Sequence, residues 1–332
     1  MLKNVLLMVF TSILLLTGCE DKKPALVSRT QISMGTFATI SLDKKDMMHI
    51  QQGFQHLQDL ESILSSYQKD ADVYQLNQKK QFTSNPTLRD ILNKSKAYYS
   101  QTQGYFDITI GSITKELYHF GEDEKIPTKE EISTAKLGIE KIHIQKEIIT
   151  LDRTITVDLG GIGKGYSVDS LSTYYHTLGI KKGQIALSGD IRCLDRCSIG
   201  LQDPYNETNI LTTLHAKIPD LSISTSGTYR RFIQSKAHHH LINPKNKSQG
   251  NAFVSVTILT QGDNTLCDVM ATAISTMPKA LALAFVKSQN DFGYILITPQ
   301  NEVIKGNLEK FVSHSQFEKQ EFPHSDTRVN NK

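Results

Sequence analysis

The chain has 332 residues, of which 39% are hydrophobic and 21% charged, and its formal net charge is +3. That length is enough for a large core in one domain or two. Acidic and basic residues are well mixed with no long basic run, which excludes a role driven by charge on nucleic acid or on an anionic membrane surface, and no nucleic-acid partner is expected.

Lys3 opens a short cationic stretch, Val5 to Leu16 form an apolar run too short to span a bilayer comfortably, and Leu16-Thr17-Gly18-Cys19 closes it. This ending resembles a bacterial lipobox. Residues 1–18 are therefore expected to be a lipoprotein signal peptide, with Cys19 the lipidated new N-terminus and residues 19–29 a tether. A signal peptide with an incidental cysteine is the alternative. The address expected is the bacterial cell envelope, lipid-anchored on the periplasmic face, with the inner membrane favoured and the outer membrane left open by Glu20 after Cys19. Export also implies an oxidising compartment, in which Cys193 and Cys197 are spaced for a small local disulfide. A zinc site would need a second Cys or His pair at suitable spacing.

The folded domain is expected over residues 30–322, followed by a polar, disordered tail at 323–332. Thr30 to Leu42 alternate as a strand interrupted at Met34-Gly35-Thr36. Ile50, Phe54, Leu57, Leu60 and Leu64 recur at helical spacing. Asn85-Pro86 caps a second helix whose buried stripe is Leu88, Ile91, Leu92, Ser95 and Tyr98. Tyr118 to Lys141 reads as charged and irregular, and short strands follow, including Ile155 to Asp158.

Asp158-Leu159-Gly160-Gly161-Ile162-Gly163-Lys164-Gly165 reads as a strand end, a glycine turn and a helix start. It is either a phosphate cradle, with bare amides, a helix dipole and the Lys164 cation, or a tight corner with a surface lysine. The helix continues through Ser167, Leu171, Tyr174 and Leu178 to Gly179. Strand-like runs follow at Gln184 to Leu187, Arg192 to Leu201, Ile210 to Ile218 and Ala252 to Thr260, while Ser224 to Arg230 reads as a small-residue turn. His239-His240 lies beyond it, and one histidine there suits proton transfer better than a zinc site. Asp268 and Thr272 stand one helical turn apart after Gly262-Asp263-Asn264, either as oxygen ligands for Mg²⁺ or as a solvated helix edge. Pro278 starts a further helix, and Gly293 to Thr298 is a late strand. The mixture predicts an α+β fold with largely antiparallel sheets.

Taken together, Met34-Gly35-Thr36, Ser65-Ser66-Tyr67 with Leu76-Asn77, Gly104-Tyr105-Phe106-Asp107, the Asp158 to Asp169 block, Thr225-Ser226-Gly227, His240 to Pro244 and Asp268 with Thr272 resemble the ApbE family, the FAD:protein FMN transferases. The resemblance implies a T-fold-like architecture and a Mg²⁺-dependent enzyme. Such an enzyme splits FAD, attaches the FMN half to a Ser or Thr hydroxyl of another protein through a phosphoester, and releases AMP. It implies that Gly161 (through its carbonyl), Asp268 and Thr272 hold the metal. Met34, Tyr67, Tyr105, Phe106, Asp107, Asp158, Lys164 and His240 would line the FAD site, with His240, Lys164 and Asp268 in the catalytic roles. Family acceptors include subunits of membrane redox complexes of the sodium-pumping NADH:quinone oxidoreductase (Nqr) and Rnf types. The chain departs from the family pattern at Ala71, at Ser188-Gly189-Asp190 in place of Gly-Gly-Asp, at Asn246-Lys247 in place of Thr-Gly, and at Gly163 in place of alanine. A β-carbon at 188 or 247 is expected to alter a loop near the nucleotide. Two alternatives share the motifs: a Mg²⁺-dependent FAD pyrophosphatase, in which water is the acceptor, and a lipoprotein that binds FAD without turnover.

Overall fold

A computed structural model describes residues 26–206, 208–314 and 317. The expected signal peptide, the first part of the tether and the polar tail lie outside these residues. In the first half the elements are β1 (Leu26–Ser33), β2 (Thr36–Asp43), α1 (His49–Leu64), α2 (Asp72–Lys79), β3 (Gln81–Thr83), α3 (Pro86–Gln101), α4 (Gly111–Thr114), α5 (Lys129–Thr134), β4 (Ile142–Gln145) and β5 (Ile148–Leu151). Then come α6 (Gly163–Thr177), β6 (Gly183–Leu187), β7 (Asp190–Cys193), β8 (Ser198–Gln202), β9 (Ile210–Ala216), β10 (Leu221–Gly227) and β11 (Ser255–Gln261). The chain closes with α7 (Asn264–Thr276), α8 (Lys279–Ser288), β12 (Gly293–Ile297), β13 (Val303–Gly306) and β14 (Val312–His314).

Eight strands form the main sheet in the order β1-β2-β6-β7-β10-β11-β12-β13, and every neighbouring pair is antiparallel. Along β2 the period-two pattern turns Ala38, Ile40 and Leu42 toward α1 and α6, where they meet Ile50, Phe54, Leu57, Val168, Leu171 and Tyr175. The opposite face of β7, β10, β11 and β12 is covered by the small sheet β14-β9-β8, through Ile199, Leu201, Leu211 and Leu214. Strands covered on both faces need apolar residues at every position, and β12 is buried throughout. α7 packs against β10 and β11 with nearly all of its surface buried, so a polar residue on it faces either a cavity or a buried partner.

The α+β expectation holds, and the structure adjusts several boundaries. Residues 26–29, expected in the tether, are paired strand: Leu26 to Arg29 face Asp43 to Ile40. Arg192 to Leu201 is two strands in different sheets, split by a turn that the Cys193–Cys197 disulfide closes. Ile155 to Asp158 is no regular strand: its backbone pairing is an isolated parallel bridge from Thr156 to Ile110, and the Asn77 side-chain amide takes both the N–H and the C=O of Val157 at 2.8 Å. Ser224 to Gly227, expected as a turn, lies inside β10 and is paired with β11. Within the charged stretch, Thr128 and Glu131 form a reciprocal cap on α5.

Candidate active site

A cavity of about 650 Å³ opens at the end of the main sheet where the β1–β2 turn, the β6–β7 turn and the end of β10 meet the starts of α6 and the middle of α7. Every residue assigned to the site from the sequence lines it. Met34, Tyr67, Tyr105, Phe106 and Asp107 come from the first third of the chain, Asp158, Gly161 and Lys164 from the glycine block, and His240, Asp268 and Thr272 from beyond.

One corner of the cavity is built by two helices pressed together. A β-carbon on Gly165 would stand 2.4 Å from the Asn264 carbonyl oxygen and 2.8 Å from Asp268 Cβ, so only glycine permits this approach of α6 to α7. Asp169 secures the register by accepting the N–H groups of Asn264 and Thr265 at 2.8 and 2.7 Å, while Arg192 neutralises it. This places Asp268 and Thr272 inward. A β-carbon on Gly161 would lie 2.9 Å from Thr272 Oγ1, which sets the glycine backbone directly against that hydroxyl.

Lys164 Nζ lies 3.1 Å from Asp190 Oδ2 and 3.4 Å from Asp268 Oδ2, which also accepts the Gly165 N–H at 3.0 Å. One cation thus serves two buried carboxylates. Asp190 Oδ1 is buried with no hydrogen-bond partner. Burial first, and the Asp190 charge second, push the Asp268 carboxyl up to about 7. Burial works against the Lys164 ammonium, but the two carboxylates outweigh it and raise its pKa above the usual lysine value. The corner therefore has excess negative charge, a carboxylate and a hydroxyl one helical turn apart, and a carbonyl-bearing glycine beside them. Such oxygen donors fit a hard divalent cation.

The opposite wall carries Tyr67, which is 37% exposed. Lys115 Nζ sits 2.8 Å from its centroid and Arg231 donates to its hydroxyl, so cations hold the ring on two sides. Tyr105 and Phe106 are almost fully buried and pack as core more than as open platforms. Asp107 is spent on Thr109, whose N–H and hydroxyl it accepts at 2.8 and 2.7 Å. Asp158 ties the glycine turn to α4, accepting Gly160 N–H at 2.9 Å and the Thr114 hydroxyl at 2.6 Å. His240 faces the Arg231 carbonyl through Nδ1 at 3.0 Å, and burial pushes its imidazole down to about 4, below the near-neutral value expected from the sequence. It is neutral at pH 7 and offers no proton there.

Sequence reasoning passed over Lys115, Asp190 and Arg231 as functional groups. Asp190 had a signal, since it ends the Ser188-Gly189-Asp190 block, but Lys115 and Arg231 reach the site only through tertiary packing. Lys115 Nζ is buried without a hydrogen bond, and burial lowers its pKa to about 8. An unfolded lysine titrates near ~10.4. Between those two values the unfolded chain holds more protons, so the Lys115 contribution makes the fold more stable as pH rises from about 8 to about 10. Urea unfolding at pH 7.5 and 9.5 is expected to show this gain in the native chain and a smaller one in Lys115→Met; equal pH slopes would refute the assignment.

Both lost glycines fall where the backbone is left-handed: Ser188 has φ +55° and Lys247 φ +59°. Ser188 is exposed in the β6–β7 turn, where its N–H bonds the Phe37 carbonyl at 3.1 Å, so glycine there keeps the bond and removes the Cβ conflict. Ser188→Gly is expected to stabilise the protein by roughly 0.5–1 kcal/mol, after the greater freedom of glycine in the unfolded chain is deducted. A melting temperature unchanged or lowered in differential scanning calorimetry would contradict this.

Comparison with known proteins agrees with the geometry. Residues 34–296 match the profile of the ApbE family. The FAD:protein FMN transferase of Vibrio cholerae is 27% identical over 323 residues, spanning 90% of this chain and 95% of that protein. The FAD:protein FMN transferase of Klebsiella pneumoniae is 24% identical over 293 residues, spanning 83% of this chain and 90% of that one. Among solved structures, the ApbE protein of Thermotoga maritima superposes with a TM-score of 0.78 at 18% identity, over 86% of this chain and 98% of that one. The flavin transferase ApbE of Vibrio cholerae gives 0.72 at 23% identity, over 86% and 99%. At those identities the structures speak for the fold, and the profile, matched over most of the length, speaks for descent: the chain belongs to the ApbE family.

Proposed function

We propose that the chain is an FAD:protein FMN transferase that uses Mg²⁺. The observation that carries this reading is the convergence of Gly161, Lys164, Asp268 and Thr272, from separate stretches of sequence, in one corner of a cavity large enough for a dinucleotide. The names of the relatives support the same reaction.

Asp268, Thr272 and the Gly161 carbonyl would hold the metal. Bound there, it supplies Lewis-acid stabilisation of charge on the pyrophosphate oxygens. Lys164 adds a fixed cation beside the start of α6, whose dipole puts partial positive charge at the same end. In the transfer, the acceptor hydroxyl oxygen forms a bond to the FMN phosphorus. The bond from that phosphorus to the bridging oxygen breaks, and AMP leaves with the bridging oxygen. The hydroxyl proton passes to a base or to water. His240 has a free ring nitrogen for this once Nδ1–H donates to Arg231, although its depressed pKa makes it a weak base. Tyr67, held by Lys115 and Arg231, presents its exposed ring to a flat group of the substrate.

The lipobox-like Leu16 to Cys19 supports a lipid anchor in the bacterial envelope, with acceptors among membrane redox subunits of the Nqr and Rnf kinds. Incubation of the purified chain with FAD, Mg²⁺ and envelope proteins tests the reading. Covalent flavin fluorescence on a protein band in a denaturing gel, with AMP in equal amount, is expected. AMP and FMN in solution with no labelled protein would instead identify a pyrophosphatase.

A further inference from the structure

A transferase must seat a protein as well as FAD, and the surface beside the cavity is built for one; the inference rests on the transferase reading. The small sheet β14-β9-β8 covers the main sheet over β7 to β12 but not over β1 and β2. On that uncovered face Ile32 and Phe37 are cross-strand partners, 78% and 70% exposed. They belong to none of the apolar clusters. Two residues inward, the Thr30 and Thr39 hydroxyls bond at 2.9 Å, and the Ser28 and Ser41 hydroxyls bond at 2.7 Å beyond them.

We propose that this face, centred on Ile32 and Phe37, with the outer edge of β1, seats an extended segment of the acceptor protein and leads its hydroxyl over the β1–β2 turn into the cavity. Continuity favours that occupant, because the turn between the two apolar residues is Met34 and Gly35, and both line the cavity with Thr36. Among the described residues β1 ends the sheet, so one row of its backbone N–H and C=O groups is unpaired within it, and an extended peptide can add there as a strand. The seat is rigid. Met34 and Gly35 form a two-residue turn with φ +55° and +68°, Ser167 donates to the Met34 sulfur at 3.9 Å, and Ser188 N–H bonds the Phe37 carbonyl at 3.1 Å. A preformed edge loses little entropy when a partner binds. Two apolar residues flanked by hydroxyl pairs make a small patch, suited to a transient substrate more than to a bilayer or a permanent dimer.

The probe is the protein that acquires covalent flavin in the assay above, purified. In Ile32→Glu/Phe37→Glu, KM for this acceptor is expected to rise at least ten-fold, with kcat at saturating acceptor and the FAD dissociation constant, read by flavin fluorescence, unchanged. Phe37→Leu is expected to keep a near-native KM. Benzoylphenylalanine at position 37 is expected to cross-link to the peptide that contains the flavinylated residue. An unchanged KM, or a fall in FAD affinity that accounts for the loss, overturns the proposal. So does a double variant whose only defect is release from phosphatidylethanolamine/phosphatidylglycerol vesicles or dissociation of a dimer in sedimentation. A native chain that labels no protein overturns the transferase reading and this inference with it, whereas normal labelling with an unchanged KM overturns the docking face alone.

Discussion

Asp268→Asn is expected to abolish most AMP release from FAD, by about 10²–10³-fold or more, without unfolding the protein. The substitution keeps the shape and one acceptor oxygen but removes the charge that would bind a divalent cation. The increase in melting temperature produced by Mg²⁺ should disappear with it, a readout independent of turnover. Stability in EDTA adds a second test. With a folded-state pKa of about 7 against ~3.9 unfolded, the native state holds more protons across that interval, so the contribution of this group is full below pH ~4 and is lost as pH rises through about 7. The Asn variant should be less sensitive to pH in that window. Native rates of AMP release in the variant would remove Asp268 from the mechanism.

Lys164→Met should damage both activity and stability. It leaves Asp190 and Asp268 facing each other in a buried corner, with the cation 3.1 and 3.4 Å from them gone. Breaking a buried ion pair from one side typically costs ~3–5 kcal/mol, and the 28% exposure of the Lys164 side chain argues for the lower end, about 3 kcal/mol at pH 8. At pH 5 the loss should shrink, because Asp268 is then protonated. Addition of Asp190→Asn should restore most of the stability by removing one of the two charges, while AMP release stays about 10²-fold or more below native. Recovery of the rate by the double variant would mean that Lys164 serves only the fold.

These two residues mark how far the sequence could be read. Local rules sufficed where the determinant was local: the stripe of Ile50, Phe54, Leu57, Leu60 and Leu64 is α1, and Asn85 caps α3 by accepting the Leu88 N–H, whereas Thr30 to Leu42, read as one interrupted strand, folds back on itself as a hairpin at Met34-Gly35. They failed where a distant partner supplied the determinant. β10 looked like a turn because Ser224, Thr225, Ser226 and Gly227 are small and polar, yet pairing with β11 along its length makes it strand. Ile155 to Asp158 looked like a strand, but it meets Ile110 in a single bridge and gives both backbone groups of Val157 to the side chain of Asn77.

By itself the sequence determined the α+β class and picked out a part of the residues that line the cavity, since those rest on periodicity, on turn chemistry and on recognisable blocks in order. Only the tertiary structure decided what each does. It set Gly165 against Asn264 so that Asp268 faces inward, gave one lysine two carboxylates, and turned Asp107 and Asp158 toward their own loops. It also brought Lys115 and Arg231 to Tyr67. Charge and burial at a site are sums over neighbours far apart in the chain, and no local window of sequence contains those terms.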